Sequence, residues 1–134
     1  MPESHENKST FYQAFIRDEQ RCIYCGKNMM ETLDAFALID RDHLKPSKAG
    51  GSLDDVDNMV ISCRVCNSLK GSFDPMPDVE LNANNRELFL NKAKEFVEKK
   101  RSGEIPNDYY KDYYHTILNQ FLLELYSYLF YLDQ

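Results

Sequence analysis

The chain has no long hydrophobic run. Its most apolar stretch, Ile117 to Leu132, is broken by Asn119, Gln120 and Glu124 and falls short of the roughly 20 residues that span a bilayer. An apolar leader is missing too: MPESHENKST is polar throughout, unlike a secretory signal. Positive charge is not in excess, since 16 Lys and Arg stand against 22 Asp and Glu for a net charge of −6. That balance excludes a strong, indiscriminate nucleic-acid binder. Repeats and low-complexity tracts are also absent. These absences leave the expectation of a cytoplasmic protein without membrane association, built as one small domain with helical additions.

What the chain does have is four cysteines in two close pairs, Cys22/Cys25 and Cys63/Cys66. In a reducing compartment such pairs point to a metal before they point to disulfides. Two thiolates three positions apart grip one ion, and two such pairs complete a closed tetrahedral Zn²⁺ site with no position left for substrate. The alternatives are a redox pair or buried free thiols; spacing and compartment favour zinc. A site closed in this way is structural, so any reactive centre has to lie elsewhere.

The pattern around the cysteines predicts an order of elements. Ser9 or Thr10 caps a short helix carrying Phe11, Phe15 and Ile16, which ends around Asp18–Gln20. Cys22 to Gly26 reads as a zinc knuckle, with Gly26 allowing the tight turn. Ala35 to Asp40 (AFALID) is short and apolar and predicts a strand. Leu44 to Asp57 is a loop marked by Pro46, Gly50 and Gly51; Asn58 to Ser62 is the returning strand; Cys63 opens a helix closed by Gly71. Asn84 with Glu87 resembles a capping box for a helix to about Arg101, with Phe89, Ala93, Phe96 and Val97 on one face. Asn107 to Leu132, which includes Tyr110, has helical spacing but is apolar on more than one face. Such a helix must be buried on more than one face, so one face is expected to cover the core and the other to meet a second copy or a partner protein. His115 reads as a surface or packing residue.

Between the cysteine pairs lies Asp42-His43. Adjacent strand residues point to opposite faces, so both serve one site only where the strand ends or twists. Asn58 follows fifteen residues after His43, and Asn67 directly follows the last cysteine. The set Asp42-His43, Pro46, Gly50-Gly51, Asn58, Cys63-x-x-Cys66-Asn67 and Lys70-Gly71 strongly resembles the HNH endonucleases with a Cys₄ zinc. The resemblance covers residues 22–71, with Asn67 where the family name expects a histidine.

The resemblance implies an α+β fold: a small ββα-metal (His-Me finger) core over residues 21–72 with structural zinc. An N-terminal tail and helix (1–20) and a helical extension with two helices (73–134) flank it. It implies a DNA endonuclease leaving 5′-phosphate and 3′-hydroxyl ends, with His43 as general base. Asp42 and Asn67 would hold one catalytic Mg²⁺ or Mn²⁺, and Asn58 would brace the loop that orients His43. Cys22, Cys25, Cys63 and Cys66 would hold the zinc. Lys45, Lys48, Arg64 and Lys70 are candidate phosphate contacts. A cation at Asp42 would turn the local field positive, so backbone binding is expected to be weak and salt-sensitive. The rival from another class is a zinc-stabilised nucleic-acid or protein-binding adaptor that does not cut. The acidic net charge and the apolar last segment suggest it; the Asp42-His43 pair, which a bare scaffold does not need, argues against it.

Overall fold

In the computed structural model, residues 9–106 and 111–133 are described. The tail 1–8 and the start of the last segment, Asn107 to Tyr110, lie outside them. The chain divides into two compact units, Met1–Glu98 and Lys99–Gln134.

The first unit begins with α1 (Thr10–Arg17), capped by the Ser9 hydroxyl, which accepts from the Tyr12 amide. Phe11 and Phe15 stack one turn apart with centroids at 5.9 Å. The helix stops where Glu19 and Gln20 take left-handed φ values of 56° and 57°. Its last turn is tied down by charge. Arg17 donates to the carbonyls of Val56 and Met59 and pairs with Asp18. Asp18 in turn accepts the Ile61 amide at 2.9 Å. Buried backbone groups need partners, and here a helix terminus supplies them to a strand more than forty residues on.

The knuckle follows. The Cys22 amide donates to Lys27 O and the Gly26 amide to Cys22 O, with Gly26 at φ 78°. Ile23 N donates to Ile61 O at 2.9 Å, which fastens the knuckle to the same strand.

The strand expected over Ala35–Asp40 is displaced along the chain, overlapping the observed one at Ile39 and Asp40 alone. Thr32 caps a short helix, α2 (Leu33–Ala37), accepting the Ala35 amide at 3.0 Å. The strand β1 comes later, at Ile39–His43. It pairs antiparallel with β2 (Met59–Cys63), Asp42 opposite Val60 and His43 opposite Met59. All of β2 is buried, so β1 is a strand because a buried partner's backbone must be satisfied, despite its polar sequence IDRDH. The loop between them is held by Asn58, which accepts from Lys45 N and donates to the carbonyls of Lys45 and Ser52. Gly51 is required at the closest approach: a Cβ there would lie 1.8 Å from Lys45 O.

The helix α3 (Arg64–Lys70) starts on Cys63, whose Sγ accepts the Cys66 amide, and ends at Gly71. Next, α4 (Arg86–Ser102) buries Phe89, Ala93 and Val97, and Phe89 and Ala93 cluster with Leu44 and Val60 of the hairpin. Phe96 stacks on Phe73 with centroids at 3.9 Å. This helix starts one residue later than a cap at Asn84 would place it. Asn82 accepts the Asn84 and Asn85 amides and Asn85 accepts the Asn82 amide, folding that stretch into a turn.

Helices thus surround a two-stranded antiparallel sheet, the arrangement expected of a small ββα-metal core. The second unit contains α5 (Lys111–Leu132), in which the described side chains are exposed, with Leu118 half-buried. Among the described residues no helix is long and apolar enough to cross a membrane.

Candidate metal and hydrolytic centre

The four cysteines meet. Their sulfurs all lie within 4.8 Å of one another, Cys25 and Cys63 at 3.9 Å. Zn–S bonds of about 2.3 Å in a tetrahedron put sulfurs roughly 3.8 Å apart, so the set fits Zn²⁺. The knuckle contributes two ligands, the end of β2 a third, and the first turn of α3 the fourth. Hydrogen bonds from Cys63 and Cys66 hold the Cys22 thiol far below its usual range, whereas burial pushes Cys25 up.

The second centre lies beside it. Asp42, His43 and Asn67 line one concavity of about 230 Å³, together with Pro46, Lys48 and Gly71. β1 ends at His43, so the strict alternation of strand faces no longer separates His43 from Asp42. His43 Nε2 lies 3.1 Å from the carbonyl of Leu53. A carbonyl only accepts, so Nε2 carries the proton and Nδ1 is the basic nitrogen of the neutral ring.

Asp42 is buried and strongly held. The Tyr24 hydroxyl donates to its Oδ2, and Lys70 Nζ sits 3.5 Å from Oδ1. Burial raises the Asp42 carboxyl above its usual range, opposed by the Lys70 charge. Burial likewise lowers Lys70, opposed by Asp42. Burial together with the Asp42 charge pushes Tyr24 well above the ordinary phenol range, so it stays protonated and donates. Lys70 also donates to the His43 carbonyl at 2.7 Å. Tyr24 lies between the two knuckle cysteines, so one side chain links the sulfur cluster to the carboxylate.

Asn67 Nδ2 donates to Asp40 at 3.2 Å, and Arg64 pairs with the other Asp40 oxygen at 3.5 Å. The donation fixes which end of the amide is the acceptor, so Oδ1 is the group Asn67 offers to a ligand. Asp42 contributes carboxylate oxygens with several lone-pair sites, more than Tyr24 and Lys70 use. Two hard oxygen donors facing one open concavity fit Mg²⁺ or Mn²⁺, which keep several ligand positions for water or phosphate.

The other expected residues are distributed differently. Asn58 is buried at the base of the loop and does not line the concavity. Lys48 lines it and is exposed; Arg64 is exposed at 57%. Lys45 and Lys70 are not surface cations. Lys45 is buried on Asp74 at 2.7 Å and on the Met76 carbonyl, and Lys70 lies beneath Asp42. Neither side chain is free to meet a phosphate backbone. Tyr24, Asp40 and Asp74 were not among the expected residues. Asp40 had a readable signal, since it shares a strand face with Asp42; Tyr24 and Asp74 had none.

Comparison with known proteins agrees with this geometry. Residues 22–73 match the family model described as HNH endonuclease. The chain is also 33% identical over 61 residues to the CRISPR-associated endonuclease Cas9 of Corynebacterium diphtheriae, a stretch that is 46% of this chain and 5% of that protein. No solved structure matches.

Proposed function

We propose, from the HNH endonuclease domain at residues 22–73, that this chain is a metal-dependent nuclease hydrolysing DNA phosphodiester bonds. The observation that carries the reading is the shared concavity of Asp42, His43 and Asn67 beside a Cys₄ cluster. His43 Nδ1 takes the proton from the attacking water, while the Leu53 carbonyl holds Nε2–H and so keeps the ring in that tautomer. Asp42 and Asn67 would hold one Mg²⁺ or Mn²⁺ through oxygen. When bound, the cation supplies positive charge beside the scissile phosphate and the departing 3′ oxygen. The products are 5′-phosphate and 3′-hydroxyl ends.

The zinc and Asn58 act at a distance, fixing the ends of the hairpin so that His43 and Asn67 stay in register. Lys48 and Arg64 are the phosphate contacts, since Lys45 and Lys70 are spent on internal ion pairs. Residues 21–72 form the catalytic core, with 1–20 and 73–134 as its helical flanks. A cytoplasmic location suits a chain whose cysteines serve as metal ligands.

Purified protein incubated with supercoiled plasmid across a panel of divalent cations tests the reading. Nicking with Mg²⁺ or Mn²⁺ is expected, lost on adding EDTA and reduced by about 10²–10⁴-fold in His43→Ala. Zinc content should be unchanged in that variant. Cleavage by His43→Ala at the native rate would overturn the assignment, and absence of nicking under every metal would favour a non-cutting adaptor.

A further inference from the structure

The last helix, α5, carries a side-chain pattern that has no part in the proposed nuclease site. Along this helix Tyr114, Leu118, Phe121, Leu125, Tyr128 and Leu132 recur at alternating steps of four and three. The leucines fall every seventh residue, and so do the aromatic residues Tyr114, Phe121 and Tyr128. A strict 3.5-residue period keeps one apolar seam facing a partner helix, the pattern of side chains that interlock between helices. These side chains lie on the surface: Tyr114, Phe121, Leu125, Tyr128 and Leu132 are between 42% and 61% exposed. A helix packed into its own domain repeats closer to every 3.6 residues and hides that face.

We infer that α5 is a self-association helix, through which copies of this chain pair along the Tyr114–Leu132 seam. Two features favour a second copy over other occupants. First, the only charged residue between Tyr113 and Leu132 is Glu124. Like helices therefore meet without a charge pattern that rejects their own kind, in a chain whose net charge of −6 otherwise opposes close approach. The same lack of Lys and Arg leaves nothing to recognise an anionic lipid surface. Second, the area suffices. Covering the six seam side chains at roughly 100 Å² each, with Leu122 and Leu129 beside them, removes on the order of 800 Å² per chain, the per-partner area of a standard stable interface.

Size-exclusion chromatography with light scattering on the full chain tests this. The expected mass is at least twice the 15.7 kDa of one chain. Leu118→Glu combined with Leu125→Glu should weaken association at least tenfold, giving the single-chain mass at the same concentration. Leu123→Glu, exposed on the opposite side of the helix from the seam, should leave the assembly intact. One zinc per chain in every variant shows that the first unit has folded, which separates a broken seam from a misfolded protein. A wild-type monomer at high micromolar concentration would overturn the inference. So would dissociation by Leu123→Glu with the double variant still assembled, or a monomer that instead cosediments with phosphatidylglycerol vesicles.

Discussion

The two candidate metal centres are neighbours built on opposite plans. The Cys₄ cluster draws its ligands from three backbone elements and closes on itself, its sulfurs already at metal-binding separations. The oxygen centre is open on one side, and its residues are held by neighbouring side chains: Asp42 by Tyr24 and Lys70, and Asn67 through its Nδ2 by Asp40. A closed thiolate site suits a permanent ion that holds a fold together. An open site with oxygen donors would suit, on the proposed reading, a cation that keeps coordination positions for other ligands. The hairpin is thus braced by the sulfur cluster and by the Asn58 loop, and the placement of Asp42, His43 and Asn67 depends on both.

Four experiments sharpen or break that contrast. Stripping zinc with a strong chelator is expected to have the largest effect. Structural zinc contributes about 10 kcal/mol or more to small domains, so the first unit should lose its cooperative thermal transition, followed by circular dichroism. Withholding Mg²⁺ and Mn²⁺ alone should leave that transition nearly in place; equal losses would erase the distinction.

Gly51→Ala comes next. Its Cβ would fall 1.8 Å from Lys45 O and 2.6 Å from Lys45 C, so the loop must move, and about 4 kcal/mol of destabilisation in urea unfolding is expected.

Asn58→Ala removes three hydrogen bonds and leaves the Lys45 amide unpaired, costing about 3 kcal/mol. Nicking should fall while zinc content holds. A variant as stable as the native chain would show that the loop is braced by something else.

The smallest effect belongs to Tyr24→Phe. Without the hydroxyl, Asp42 loses one donor in a buried site. The Mn²⁺ concentration giving half-maximal nicking should shift by about 3–10-fold, the size of one net hydrogen bond of about 1 kcal/mol. An unchanged midpoint would mean that the link between the two centres carries no weight.

Much of the core was legible because its signals are local. The cysteine spacing located the metal cluster, and the Gly-Gly turn and Cys63 marked the ends of the loop and the start of α3 with little error. Failures came where a distant partner decided the outcome. AFALID has the composition of a strand, yet Thr32 caps its first half, Ala35–Ala37, into a helix, and only Ile39 and Asp40 join β1. IDRDH has no apolar alternation, yet it is the strand because β2 is buried beside it. Lys45 and Lys70 looked like surface charge; their partners Asp74 and Asp42 lie almost thirty residues away. Nothing in the sequence announces such a pairing. The Arg17–Asp18 clamp onto β2 was hidden for the same reason.

That clamp sets where the molecule can be trimmed. A shortened polypeptide starting at Cys22 would keep all four cysteines together with Asp42, His43 and Asn67, yet strip the Val56 and Met59 carbonyls of the Arg17 guanidinium and the Ile61 amide of the Asp18 carboxylate. A truncation drawn at the motif's edge would therefore cut away the tie between α1 and β2, and a shortened piece keeps it only by beginning upstream, at the serine that caps the first helix.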